Sequence, residues 1–168
     1  MKKALSYFKP TTVVATLLAV SLVSVACLIG REALRTPDDY ASLGFTAVQQ
    51  HNYPLALRYL TRAADSGHTQ AQYRLALMYD VGDKIPENRD RAVSLMQQAA
   101  DSNLPEALYA LAVWQERGYP VSGDSLDYFR RAATLGHTGA MTSLVVRLEG
   151  DPVRQQYWLN QLQERIKK

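Results

Sequence analysis

The residues of this 168-residue chain whose types could do chemistry are few: three histidines, one cysteine and scattered serines and carboxylates. His68 and His137 hold the same place in two copies of one motif, Ala63-Ala64-Asp65-Ser66-Gly67-His68 and Ala132-Ala133-Thr134-Leu135-Gly136-His137, and His51 stands alone. Shared metal ligation requires nitrogens about 2 Å from one ion, whereas equivalent points on neighbouring packed helices are on the order of 10 Å apart. The two imidazoles are therefore expected to serve the turns they sit in, as structural or solvated groups, or as a pH-sensitive contact. No nucleophile elbow, phosphate loop or His-x-x-x-His pair occurs, so catalysis, a metal, a cofactor and a small-molecule substrate have no local support. Cys27 is the only cysteine, which excludes an intrachain disulfide and a thiolate metal cluster.

The elements that position these residues come from a repeat. Ala63-Ala64, Ala99-Ala100 and Ala132-Ala133 recur at offsets of 36 and then 33 residues, and the same offsets link Ala71, Ala107 and Ala140, and Leu75, Leu111 and Leu144. A fixed period in the thirties means a stack of like units. Apolar positions three and four apart on both sides of each break make each unit a pair of amphipathic helices. The first unit spans Tyr40–Val48 and Ala56–Ala64 around His51-Asn52-Tyr53-Pro54, with Gly44, Ala56 and Ala63 small enough for close backbone approach. The second runs Gln70–Asp80, a loop at 81–88, and Asp90–Asp101; the third runs Pro105–Arg117, a turn at 118–123, and Asp124–Leu135. A fourth first helix covers Thr138–Glu149. Gly150-Asp151-Pro152 then stops it and starts a last helix, with aspartate as cap and proline first. That helix presents Val153, Tyr157, Leu162 and Ile166 on one side and Arg154, Gln155, Gln156, Gln161, Glu164 and Arg165 on the other, the polar outer face a terminal cap needs.

Residues 1–30 are not part of the repeat. The net charge of +3 is contributed by Lys2, Lys3 and Lys9; without them, sixteen basic residues face 16 acidic ones. The body of the chain lacks the basic footprint of a nucleic-acid binder. Thr11–Gly30 carries no charge, and a basic head before an apolar run is a secretory or membrane-insertion signal. Twenty such residues suffice to span a bilayer, which with the lysines inside leaves the rest outside the cytoplasm. Alternatively, Ser24-Val25-Ala26-Cys27 resembles a bacterial lipobox, with Cys27 as the lipid-bearing residue; as a third reading, Cys27 is an ordinary small apolar residue of the span. Residues 31–37 form a tether, 38–150 the repeat array and 151–168 the cap, with Asp38 or Asp39 capping the first helix after Pro37.

The pattern Ala71-x-x-x-Leu75-Ala76, Gly82-x-x-Ile85-Pro86-x-Asn88-x-x-Arg91-Ala92 and Ala99-Ala100 resembles the Sel-one-like repeats, relatives of the tetratricopeptide repeats with a longer loop between helices. The resemblance covers roughly 40–168. It implies an all-α fold, a short right-handed α-solenoid of helix hairpins with a C-terminal capping helix, and a role as adaptor or scaffold rather than enzyme. In such arrays first helices line the concave side, and residues four then three apart share a stripe. That stripe holds Tyr73, Leu77 and Asp80, then Tyr109, Val113 and Glu116, then Thr142, Val146 and Glu149. Two readings stand: core aromatics with solvating acids, or a groove with a tyrosine-bearing floor and an acidic margin, suited to an amphipathic helix or a basic peptide segment. Acids near helix C-termini oppose the macrodipole by about 0.3–1 kcal/mol each, which counts against a purely structural selection of all three. The expected function is a periplasmic interaction module on a Gram-negative envelope, tethered by the Cys27 lipid or the 11–30 helix. It would bind a protein partner and help assemble a machine for secretion, conjugation or pilus assembly. The alternative is a regulatory adaptor of a cell-wall or stress-signalling enzyme.

Overall fold

A computed structural model describes residues 35–167. The signal or anchor, the lipidation candidate Cys27 and most of the tether lie outside the described residues. Nearly all that is described belongs to one compact unit, Pro37–Lys168.

Among the described residues eight helices follow in chain order: α1 (Pro37–Gln49), α2 (Tyr53–Asp65), α3 (Thr69–Val81), α4 (Arg89–Asp101), α5 (Pro105–Glu116), α6 (Ser125–Thr134), α7 (Thr138–Arg147) and α8 (Pro152–Ile166). They pair as four hairpins, α1 with α2, α3 with α4, α5 with α6 and α7 with α8, and each second helix packs on the next first helix. The result is an all-α solenoid in which a hairpin touches chiefly its neighbours.

The repeated small residues form its spine. Ala71, Ala107 and Ala140, Leu75, Leu111 and Leu144, and Ala63, Ala99 and Ala132 are all fully buried. Burying each leucine contributes about 1.5–3 kcal/mol, and the alanines let helices meet at short range. One close approach is in the first hairpin, where a Cβ placed on Gly44 would lie 2.6 Å from Leu60 Cδ2.

The joints between hairpins repeat too. His68 N–H donates to the Ala63 carbonyl at 3.0 Å and Gly67 N–H to Ala64 at 2.9 Å; Leu104 and Asn103 do the same toward Ala99 and Ala100, and His137 and Gly136 toward Ala132 and Ala133. This is the Schellman arrangement, which needs a left-handed residue just past the helix. Gly67, Asn103 and Gly136 supply it at φ 85°, 59° and 97°. The same bonds close α1, with His51 left-handed at φ 57°, so His51 terminates a helix.

Two expectations shift. Asp38 and Asp39 fall inside the first turn of α1 instead of before it, where carboxylates still suit the helix dipole. The stripe assigned to α8 is rotated: Val153 is 79% exposed, Ile166 75% and Tyr157 54%, and the buried residue is Trp158. Leu162 also packs inward, and Gln155 turns in to donate to the Val145 carbonyl at 2.9 Å. Residues 155, 158 and 162 follow the i, i+3, i+7 spacing of a helical face, and a stripe centred on the indole buries more apolar surface than one centred on Val153.

Candidate functional site

The first helices α3, α5 and α7 carry the stripe singled out above, and each residue can be placed. Tyr73 is half-buried beside Arg74 and Glu106, and burial, with Glu106 adding to it and Arg74 opposing it, holds its hydroxyl above the ordinary tyrosine range. Tyr109 stacks on the His137 ring at 4.4 Å and meets Phe129 edge-on at 5.7 Å. Val113 is packed against the core, and Thr142 bonds back to the Thr138 carbonyl at 3.1 Å. Val146 is 58% exposed. Glu149 lies past the end of α7, exposed in the turn before α8.

The acids have separate employments. Asp80 accepts the Tyr119 hydroxyl at 2.7 Å, a bond that is the main cause of the raised pKa of Tyr119. Tyr119 in turn stacks on Trp114 at 5.3 Å under the Arg89 guanidinium at 5.1 Å. Asp80 thus fastens the loop after α5 to the end of α3. Glu116 receives a two-pronged pair from Arg147, with Nε to Oε1 at 2.7 Å and Nη2 against Oε2. Arg147 lies 4.3 Å over the Phe129 ring, and its bond to Glu116 raises its already high pKa. Both acids therefore join one repeat to the next.

The histidines of the repeated motif are helix caps. Nδ1 of His68 accepts the Ala71 N–H and Nδ1 of His137 the Ala140 N–H, each at 3.1 Å. His68 Nε2 also faces Asp38 at 3.5 Å. Leu104, the counterpart at the head of α5, makes no side-chain cap, and Pro105 follows it at the helix start. Among the described residues no group of three or more His, Cys, Asp or Glu is placed to hold a metal.

What the structure adds is a cleft between α1 and α3. Val48, Tyr53, Leu77, Met78, Val81 and Ile85 line a depression of about 250 Å³. Leu77 is the stripe residue that reaches it, and Val81 at its lip is 69% exposed. A second depression of about 380 Å³ adjoins it, sharing Val48 and Arg74 and adding Phe45, Gln49 and Gln70. The Asp83–Lys84 ion pair at 2.7 Å borders the first. Sequence reasoning missed Arg74 and Val81 because they lie off the i, i+4, i+7 stripe. An exposed valine ending an otherwise amphipathic helix was the available signal.

Comparison with known proteins accounts for the architecture. The pattern described as Sel1 repeat matches residues 42–68, 69–104 and 105–137, units that end at the three left-handed joints. Among curated proteins, the chain is 33% identical over 105 residues to chitin synthase regulatory factor 2 of Schizosaccharomyces pombe, covering 56% of this chain and 20% of that one. It is 30% identical over 140 residues to an exopolysaccharide production negative regulator of Rhizobium meliloti, covering 70% of this chain and 52% of that one. The chain thus spans about a fifth to a half of these relatives. Among solved structures, a protective antigen of uropathogenic Escherichia coli displaying an SLR fold superposes with a TM-score of 0.70 at 28% identity, over 83% of this chain and 33% of that one. A repeat protein from Oxalobacter formigenes gives 0.64 at 24% identity, over 76% of this chain and 56% of that one, a likeness of fold.

Proposed function

The chain belongs to the Sel1 repeat family, and from that premise we propose that it is a protein-binding module held at the periplasmic face of a bacterial envelope, where it helps assemble or stabilise a larger complex. The observation that carries the reading is the open apolar cleft between α1 and α3, on the first-helix side of an array of repeats that are protein-interaction units. Tethering rests on the sequence: Lys2, Lys3 and Lys9 before the uncharged Thr11–Gly30 run direct insertion with the repeats outside the cytoplasm. Cys27 is the candidate for lipid attachment. No helix among the described residues is long and apolar enough to cross a membrane.

Affinity purification from detergent-solubilised envelopes tests the reading. A defined partner set should come with the wild type at a fixed ratio and be lost from a Leu77→Ser/Val81→Ser variant that remains folded. Recovery of nothing above background by the wild type overturns it. Protease added to intact spheroplasts should digest the repeats, and resistance there would sink the periplasmic placement.

A second reading has its own support. The printed names of two relatives, a chitin synthase regulatory factor and an exopolysaccharide negative regulator, favour a regulatory adaptor that binds a polysaccharide-synthesis or cell-wall enzyme. Its signature is substoichiometric or conditional recovery of an enzyme in place of a fixed-ratio particle.

A further inference from the structure

We propose that the cleft between α1 and α3 takes an acidic amphipathic segment of a partner protein, inserting a large apolar side chain and placing a carboxylate on Arg74. The inference deepens the protein-binding reading above and rests on it. Apolar side chains would recommend any amphipathic partner; charge decides which. Of the three acids that suggested a basic ligand, Asp80 is engaged by Tyr119 and Glu116 by Arg147, and Glu149 lines neither depression. Lys84 at the border is neutralised by Asp83. Arg74 remains: it is exposed, it lines both depressions, and it makes no hydrogen bond or ion pair among the described residues. The other polar residues lining the second depression, Gln49 and Gln70, are uncharged.

A guanidinium at the junction of an apolar depression and one lined by both apolar and uncharged polar residues presents a planar fork of donors suited to a carboxylate. A helix bearing a leucine or phenylalanine anchor with glutamate three or four positions away carries both groups on one face. Such a segment places the anchor among Leu77, Met78 and Val81 and the carboxylate on Arg74. A basic segment would set its charge against an unpaired cation, which costs affinity.

Fluorescence anisotropy on the full chain in detergent supplies the test, using three labelled helical peptides with identical leucine and phenylalanine anchors and with glutamate, glutamine or lysine at the paired positions. The glutamate peptide should bind roughly tenfold more tightly than the glutamine peptide, the effect of one charged hydrogen-bonded contact. The lysine peptide should bind most weakly, and the spread should narrow as salt is raised. Arg74→Gln should erase the preference for glutamate over glutamine, and Val81→Ser should weaken all three. Equal or reversed preference, a preference that survives Arg74→Gln, or no saturable binding of the glutamate peptide overturns the proposal. The wider function is judged separately: an envelope partner retained by Arg74→Gln but lost by Leu77→Ser/Val81→Ser leaves the protein-binding reading standing and removes this one.

Discussion

His137 accepts the Ala140 N–H on Nδ1, so in this arrangement the neutral ring carries its proton on Nε2. Protonation would put a hydrogen where the lone pair is needed. Burial, partly opposed by Glu106, holds this imidazole below its ordinary pKa of 6.5. The sign follows from linkage: the unfolded chain takes up the proton first, so the contribution is complete above about pH 6.5 and is lost as pH falls toward the folded value. Urea titrations at pH 7.5 and 5.5 should show the wild type losing more stability than His137→Asn, which keeps a capping acceptor and discards the titration. Equal losses would refute the assignment. The repeated motif pointed to this position but not to its task, because the strong capping residues are Ser, Thr, Asp and Asn. Asp80 and Glu116 were likewise visible as acids in register, yet their partners Tyr119 and Arg147 lie 39 and 31 residues away. A pairing at that range depends on how hairpins stack, which single-helix periodicity does not encode.

Helices were the most legible level. Asp151 caps α8 through a side-chain oxygen, as the Gly150-Asp151-Pro152 break implied, and Asn52, Asn88 and Asp124 do the same for α2, α4 and α6. The face of α8 was not legible, because that helix scatters Val153, Tyr157, Trp158, Leu162 and Ile166 around its circumference and only the surface of α7 selects among them. Helix pairing makes its own prediction at Gly44, where an added methyl would lie 2.6 Å from Leu60 Cδ2 and 3.2 Å from Leu60 N. Since the second contact is backbone, side-chain rearrangement cannot relieve it. Gly44→Ala should therefore destabilise by about 1–3 kcal/mol through forced separation of α1 and α2, even though alanine has the higher helix propensity. A chemical denaturation midpoint at or above that of the wild type would show that the hairpin opens freely.

For the molecule as a whole, the period specified the fold, since like sequences at 36 and 33 residues can bury their alanines and leucines only by stacking. The site was less legible, because Arg74 is distinguished by what fails to pair with it. In a solenoid stability divides into units and the interfaces between them, so a central defect should be felt at both ends. Leu111→Ala, at a fully buried position of α5, should cost about 2–5 kcal/mol. Circular dichroism and, in a Trp114→Phe background, the fluorescence of Trp158 in the last hairpin should still report one coincident transition. Separate transitions would mean that the hairpins hold themselves up singly. The left-handed joints at Gly67, Asn103 and Gly136 carry a different implication. Because each seam has the same stereochemistry, a segment cut after His68, Leu104 or His137 ends in matching couplings. Duplication or loss of a link can therefore lengthen or shorten this array in whole units without redrawing a junction, so the reach of the protein is a matter of copy number.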